Sequence, residues 1–199
     1  MKSVLSRERL NFIIAVCAIL ISGASFYVAY LQANSAEQQV KAMTWPLIEF
    51  THGNYDVETR EKNLTLSLRN AGVGPAIVKS VTFVLRDERH DSLQDFLKAC
   101  CGEALGEYIE KVKGNEFEAD VWTLTTSPTT GIILPVDGQL DFLSLVNHPS
   151  NQSLWHAINK ERWGLSLEVC YCSLLENCYL TDKPGQVLEV EACVAPQEI

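Results

Sequence analysis

The segment 63–70 reads NLTLSLRN, and its side chains alternate between apolar and polar along its length. Leu64, Leu66 and Leu68 fall on one face of an extended chain, because successive side chains of a strand point to opposite faces. Alternation with a period of two over eight residues predicts a β-strand with one face buried.

Similar segments recur through the rest of the chain. A second strand is predicted over residues 77–85, with Ile77, Val81, Phe83 and Leu85 on one face and Val78 on the other. Three more are predicted at residues 138–146, 164–172 and 187–194, and shorter candidates lie at 47–50 and 132–134. Turn-forming sequences separate these strands at residues 70–75, 135–138 and 183–185.

About seven short strands with this patterning predict an immunoglobulin-like antiparallel β-sandwich, a mainly β fold. Two helical segments interrupt the strands. The first covers residues 91–113, and its predicted packing face consists of Leu93, Phe96, Leu97, Leu105, Tyr108 and Ile109. The second covers residues 153–160 and is predicted to begin with Ser153 as its N-cap.

A long apolar segment precedes the strands. Residues 10–36 carry no charge, and the twenty residues 12–31 match a hydrocarbon core of about 30 Å when helical. Arg7 and Arg9 flank its N-terminal end, which predicts a cytoplasmic N-terminus by the positive-inside rule. A cleaved signal peptide is the alternative, but its apolar part usually spans only about 7–15 residues.

The predicted organisation therefore has four parts. Residues 1–9 form a cytoplasmic tail, 10–32 a transmembrane helix, 33–45 a helical stalk that ends before Pro46, and 46–199 an external domain. Proline after a helix stops it, because the preceding residue is forced out of the α region.

A stripe of mostly small residues recurs every seven positions along the helix: Ala15, Ser22, Ala29, Ala36 and Met43. Small residues let a second membrane helix approach closely, which predicts a homo-oligomer or a membrane-protein partner. They are also common in membrane helices that make no such contact, so both interpretations stay open at this stage.

The net charge of the external domain limits the classes of partner that can bind it. Residues 33–199 hold 13 basic and 24 acidic side chains, a net charge of −11. A domain this acidic repels phosphate backbones and anionic headgroups, so neither nucleic acid nor a lipid surface is expected to bind it. The bilayer contact is expected through the N-terminal helix alone.

Six of the seven cysteines lie in the external domain: Cys100, Cys101, Cys170, Cys172, Cys178 and Cys193. An even number in an exported domain predicts disulfides. Cys172 and Cys178 enclose a length that suits a hairpin turn, and Cys170 with Cys193 is the natural second pair. Cys170, Cys172 and Cys193 are all predicted to lie on outward faces of strands.

The adjacent pair Cys100 and Cys101 is left open, since a mutual bond is expected to be strained and either could pair with a sheet cysteine. A metal site or a thiol redox couple built from these two with Cys170 and Cys172 is the alternative to structural disulfides. Neither alternative has the Cys-x-x-Cys spacing that marks such sites.

Three local motifs carry a resemblance. Trp45-Pro46 is followed by the turn Asn70-Ala71-Gly72-Val73-Gly74-Pro75-Ala76 and later by a hairpin with Tyr171 and Tyr179 on either side of its turn. The chain resembles a group of uncharacterised bacterial inner-membrane proteins with these features. The resemblance implies a periplasmic sandwich and implies no activity.

No catalytic motif is present in the sequence. The four histidines, His52, His90, His148 and His156, are scattered, and no nucleophile elbow or phosphate loop occurs. A hydrolase on a sandwich scaffold is the least favoured interpretation. No catalytic residue, metal or cofactor is predicted.

The favoured function is that of a membrane-anchored periplasmic interaction or accessory domain without catalytic activity, and the alternative is a membrane-tethered thiol-redox or metal-handling protein. Leu174 and Leu175, at the predicted hairpin tip, form the candidate patch for a partner. Burial of both leucines in the core is the competing interpretation.

Overall fold

A computed structural model of the chain describes residues 7–114, 124–183 and 185–193. It divides into two compact units, Met1–Met43 and Thr44–Ile199. Residues 1–6 of the predicted tail, the turn residue Pro184 and the predicted strand end Val194 lie outside the described residues.

The first unit contains one helix, α1 (Arg7–Met43). The helix is unbroken, so no backbone feature separates the predicted span at 10–32 from the predicted stalk at 33–45. Within the described ranges, it is the one helix long and apolar enough to cross a membrane, a property that a membrane span and a signal sequence share. It ends three residues before Pro46, close to the predicted stop.

The second unit holds ten described strands and two helices. Their bounds are β1 (Ile48–Gly53), β2 (Asn63–Asn70), β3 (Ala76–Leu85), β4 (Glu88–His90), α2 (Leu93–Lys113), β5 (Thr125–Thr126), β6 (Ile132–Leu134), β7 (Gln139–Val146), α3 (Gln152–Glu161), β8 (Leu165–Cys172), β9 (Cys178–Lys183) and β10 (Gln186–Val190). One sheet has the order β1-β2-β7-β5, and the other has β10-β9-β8-β3-β4, with β6 also paired to β3. All of these pairings are antiparallel, so the predicted sandwich with two inserted helices is confirmed.

The core lies between the two sheets. Six apolar residues of β2, β3 and β8 are all at most 5% exposed, as expected for the inward faces of the predicted strands: Leu66, Leu68, Val81, Phe83, Leu167 and Val169. Full burial of an aliphatic or aromatic side chain contributes roughly 1.5–3 kcal/mol, so this face supplies much of the stability of the unit. The short strands β4 and β5 were not predicted, because two or three residues are too few to show alternation.

The predicted phase of β3 is wrong at its start. Val78 is buried and Ile77 only partly buried, whereas Ile77 was expected to share the inward face with Val81. The pairing of β3 with β8 shifts register between Val78 and Ser80, which marks a bulge at Lys79. An extra residue at a bulge reverses the alternation, so no period-two pattern can run through it.

Cys170 and Cys172 lie on the face of β8 opposite the core residues Val169 and Tyr171, as predicted, but this face is not open to solvent at the cysteines. Both are buried, at 7% and 6% exposure, and β8 is covered on both faces along its C-terminal half. Cys193, after β10, is bonded to Cys170 and brings its own segment over that face. The polar neighbours in the strand predicted that this face would be exposed to solvent, but the Cys170–Cys193 disulfide covers it.

The two helices differ from prediction in detail. Ser92 caps α2 by accepting a hydrogen bond from the backbone N–H of Asp95, and the helix is kinked at Cys101, whose φ and ψ are −144° and 22°. Beyond the kink the face is rotated, so Ile109 is 40% exposed instead of packed. Helix α3 begins after Asn151 and not after Ser153, the predicted N-cap.

The turn between β2 and β3 fixes the position of the segment that leads into β1. Asn70 is fully buried, and its side-chain oxygen accepts from the backbone N–H of Leu47 at 3.2 Å and of Gly72 at 3.0 Å. Its amide nitrogen donates to the carbonyls of Gly74, Leu134 and Pro135 at 2.8–3.1 Å. One side chain thus joins three segments and sets where β1 begins.

Candidate interaction groove and disulfide cluster

A groove of about 590 Å³ lies between β1 of one sheet and β8, β9 and β10 of the other. Its lining is mainly apolar and includes Trp45, Leu47, Phe50, Trp163, Leu167 and Val187. Trp163 lies at the rim of the groove and is 72% exposed. Among the described residues, no contact with the core explains the position of this large ring. A concave apolar surface of this volume is of the size that binding sites use.

Strand β1 forms one wall of this groove and is an edge strand, paired only with β2 among the described strands. The carbonyl of Leu47 accepts from Ala71 beyond the end of β2, whereas the backbone of Ile48 faces away and hydrogen-bonds with the hydroxyl of Tyr171. Because ladder bonds alternate along a strand, the backbone groups of Phe50 and His52 also point away from β2, toward the open side. Those of Phe50 are the donor and acceptor that a further strand would use, whereas the backbone of His52 already hydrogen-bonds with its own imidazole.

A hydrogen-bonded arginine–histidine pair, Arg162 and His52, lies at one end of the groove. The Nη1 of Arg162 donates to Nδ1 of His52 at 2.5 Å, and its Nε donates to Oδ1 of Asn159 at 2.9 Å. Its guanidinium lies 4.3 Å from the centre of the Trp163 ring. Within the part of the chain that the structure describes, no carboxylate forms an ion pair with Arg162.

The electrostatics of this pair keep His52 neutral. Burial, and then the positive charge of Arg162, lower the pKa of His52 below its ordinary value. Burial also lowers the pKa of Arg162, but a guanidinium stays charged at any physiological pH. A neutral imidazole that accepts from a charged donor is therefore the stable arrangement here.

The cysteines of the sheet are joined in two disulfides. Cys172 is bonded to Cys178 and Cys170 to Cys193, with Cα–Cα distances of 4.0 Å and 5.7 Å. The first distance lies just below the usual range of about 4.4–6.8 Å that was expected for it. Its residues are directly opposite each other in the β8–β9 ladder, where antiparallel strands approach most closely.

Cys100 and Cys101 are bonded to each other, with a Cα–Cα distance of 3.8 Å. The expected alternative, a bond from one of them to a sheet cysteine, is wrong because every sheet cysteine has another partner. The adjacent pair coincides with the kink in α2 at Cys101 and lines a shallow cleft of about 330 Å³ against α3. The four cysteines proposed as a metal or redox set are therefore divided between α2 and β8.

A tighter group of sulfurs forms where β8, β9 and the end of β10 meet. The Sγ atoms of Cys172, Cys178 and Cys193 all lie within 4.8 Å of one another. Sγ of Cys172 is 3.8 Å from Sγ of Cys193, although the two belong to different disulfides. Both sulfurs are oxidised and carry no hydrogen, so this is a van der Waals contact and not a hydrogen bond.

The remaining predicted residues do not join the groove. Leu174 and Leu175 are 59% and 49% exposed at the tip of the β8–β9 hairpin, so the alternative in which they fold into the core is wrong. The five residues of the small-residue stripe all lie on exposed positions of α1. Trp163, His52 and Arg162 were missed as site residues, because no local pattern places the end of α3 beside β1.

Comparisons with family models, with characterised proteins and with solved structures find no match to this chain. The functional interpretation therefore depends on the groove, the free strand edge and the cysteines.

Proposed function

We propose that the protein is a membrane-anchored, non-catalytic interaction domain that binds an extended segment of another protein along β1. The observation that carries this proposal is the coincidence of a free strand edge with an apolar groove of about 590 Å³. Strand addition uses both features: the edge supplies main-chain hydrogen bonds, and the groove accepts alternate side chains.

The geometry suits a strand better than a compact ligand. The outward backbone groups of Phe50 would bond the incoming chain, and its inward side chains would cover Leu167 and Val169 on β8. Trp45 and Trp163 would close over the two margins, since both line the groove and are partly or largely exposed. Tryptophan in such positions dominates the energy of many interfaces.

Charge adds a constraint on the partner. The external part of the chain is strongly acidic, with a net charge of −11 over residues 33–199, and Glu49 lines the groove. An apolar segment with basic flanks would be drawn to this surface and an acidic one repelled. The expected partner is therefore a membrane or periplasmic protein with such a segment.

The placement of the domain is part of the proposal. Helix α1 would be retained as a single span of a bacterial inner membrane, with its basic end in the cytoplasm and the sandwich in the periplasm. A reporter active only outside the cytoplasm, fused after Ile199, should then be active, and the mature protein should keep Met1. A mature N-terminus near Ala36 would identify α1 as a cleaved signal sequence instead.

Photocrosslinking in intact membranes tests the groove. A photoreactive phenylalanine analogue at Val187 would sit in the groove, and the same analogue at Leu188 would point away, since neighbouring strand residues face opposite sides. Position 187 should crosslink to one short segment of a protein, and position 188 should do so at least ~10-fold less. Equal labelling at both positions, or adducts with lipid only, would contradict the proposal.

The alternative of a thiol-redox or metal-handling protein is separated by a simpler measurement. All six cysteines of the domain are disulfide-bonded in the structure, so titration of the unfolded, unreduced protein should find only Cys17 as a free thiol. Two or more additional free thiols in protein isolated from cells would favour the alternative.

A further inference from the structure

We propose that the disulfides Cys172–Cys178 and Cys170–Cys193 form one thiol–disulfide exchange unit, in which reduction by a dithiol moves the remaining bond to Cys172–Cys193. This inference concerns an activity of the cysteines and goes beyond the binding role proposed above. It depends on the contact between the two disulfides and not on the groove.

The critical observation is a distance. Sγ of Cys172 lies 3.8 Å from Sγ of Cys193, close to van der Waals contact between sulfurs of two separate bonds. Exchange proceeds by attack of a thiolate on a disulfide sulfur. A thiolate released at Cys172 would therefore already be in contact with a sulfur that it can attack.

Strand register explains why the sulfurs meet. Cys170 and Cys172 are two residues apart on β8 and so share one face. Cys178 is directly opposite Cys172 on β9, and Val190 of β10 is paired with Cys178, which places Cys193 three residues later at the same corner. Two disulfides that only held strands together would not need to be in contact with each other.

The first step is opening of the hairpin disulfide. A thiolate of an external dithiol attacks Sγ of Cys178, the S–S bond to Cys172 breaks, and the electron pair leaves on Cys172 as a thiolate. Cys178 is only 8% exposed, but it adjoins the exposed hairpin tip that carries Leu174 and Leu175, and opening of this tip would admit the dithiol.

The second step is internal. The Cys172 thiolate attacks Sγ of Cys193, the bond from Cys193 to Cys170 breaks, and Cys170 leaves as a thiolate that takes up a proton. The second thiol of the dithiol then releases Cys178 as a thiol. Two electrons pass from the dithiol to the protein, which ends with the bond Cys172–Cys193 and free thiols at Cys170 and Cys178.

A matched pair of variants tests the internal step without any reductant. Both Cys178→Ser and Cys172→Ser remove the same hairpin disulfide, so they lose the same crosslink. In Cys178→Ser the thiol at Cys172 touches Cys193, and the free thiol should move to Cys170 in about half of the molecules, since exchange between similar disulfides has an equilibrium constant near ~1. In Cys172→Ser the free thiol at Cys178 also lies within 4.8 Å of Sγ of Cys193, so its transfer to Cys170 should occur but more slowly than in Cys178→Ser.

The measurement is acid quenching, alkylation and peptide mapping of the intact protein in mild detergent. Wild-type protein treated with limiting dithiothreitol serves as a second test that needs no variant, and it should yield Cys172–Cys193 with alkylated Cys170 and Cys178. The proposal is overturned if all Cys178→Ser molecules keep the native Cys170–Cys193 bond with the free thiol at Cys172, or if wild-type protein never yields the Cys172–Cys193 link. Loss of photocrosslinking at Val187 would contradict the proposed binding in the groove and would leave the proposed disulfide exchange unaffected.

Discussion

Gly74 packs its Cα directly against the backbone of Thr44, with no space for a side chain between them. A Cβ built on Gly74 would lie 2.7 Å from Cα of Thr44 and closer still to its carbonyl group. Gly72 meets the backbone of Trp45, Pro46 and Leu47 in the same way. The glycines of this turn are therefore required by close packing against the segment that leads into β1.

Replacing Gly74 by Ala should destabilise the domain by about 3 kcal/mol or more, at the upper end of overpacking effects, because the neighbouring atoms are backbone and cannot rotate away. Urea unfolding of the detergent-solubilised protein measures the change. Gly106→Ala is the control, since a Cβ there meets no atom within 4 Å and alanine favours a helix. Equal effects of the two substitutions would show that the contact is absent.

Asn70→Ala should cost about 3 kcal/mol, because it leaves buried groups of β1, the turn and residues 134–135 without their hydrogen bonds. Asn63→Ala, at the other end of β2, removes the hydrogen bond that Oδ1 of Asn63 accepts from the hydroxyl of Ser144 and should cost about 1 kcal/mol. The comparison uses the same unfolding measurement. A loss at Asn70 no greater than that at Asn63 would refute its role as a junction.

Leu68→Ala should cost about 2–5 kcal/mol, since the side chain is fully buried between the sheets and its removal leaves a cavity. Leu174→Ala makes the same chemical change at an exposed position and should shift the free energy of unfolding by less than about 0.5 kcal/mol. A small effect at Leu68 would mean that the core is not where the structure places it.

His52 should make stability depend on pH. Its pKa is lowered in the folded state, from 6.5, by burial and by Arg162, so the unfolded chain binds a proton more readily. The stabilising contribution is complete above about pH 6.5 and is lost as the pH falls toward the lower, folded pKa. His52→Gln keeps an acceptor for Arg162 and should reduce the loss of stability between about pH 7.5 and 5.5.

The control for that experiment is His156→Gln, which changes an exposed histidine on α3 and should leave the wild-type pH dependence in place. Thermal unfolding at a series of pH values distinguishes the variants. An unchanged slope in His52→Gln would show that another group produces the pH dependence.

Local sequence patterns were sufficient to predict most of the secondary structure. The alternation in NLTLSLRN predicts β2 at its observed bounds, and the twenty apolar residues at 12–31 predict a helix that α1 contains. The spacing of Cys172 and Cys178 suits a hairpin, and the structure bonds them across one. Each of these features depends on residues close together in the chain, where side-chain direction follows directly from backbone geometry.

Tertiary structure decided everything that depends on residues far apart. The bulge at Lys79 reverses the phase of β3 because β8 imposes the register, and no property of β3 alone reveals it. The groove exists because, among the described strands, β1 is paired on one side only and its other side lies beside Trp163, and the exchange unit exists because Cys193 returns to touch Cys172. The sequence alone therefore determined most of the strands, the membrane-length helix and the residues available for bonding, whereas packing of distant segments decided which edges stay open and which sulfurs meet.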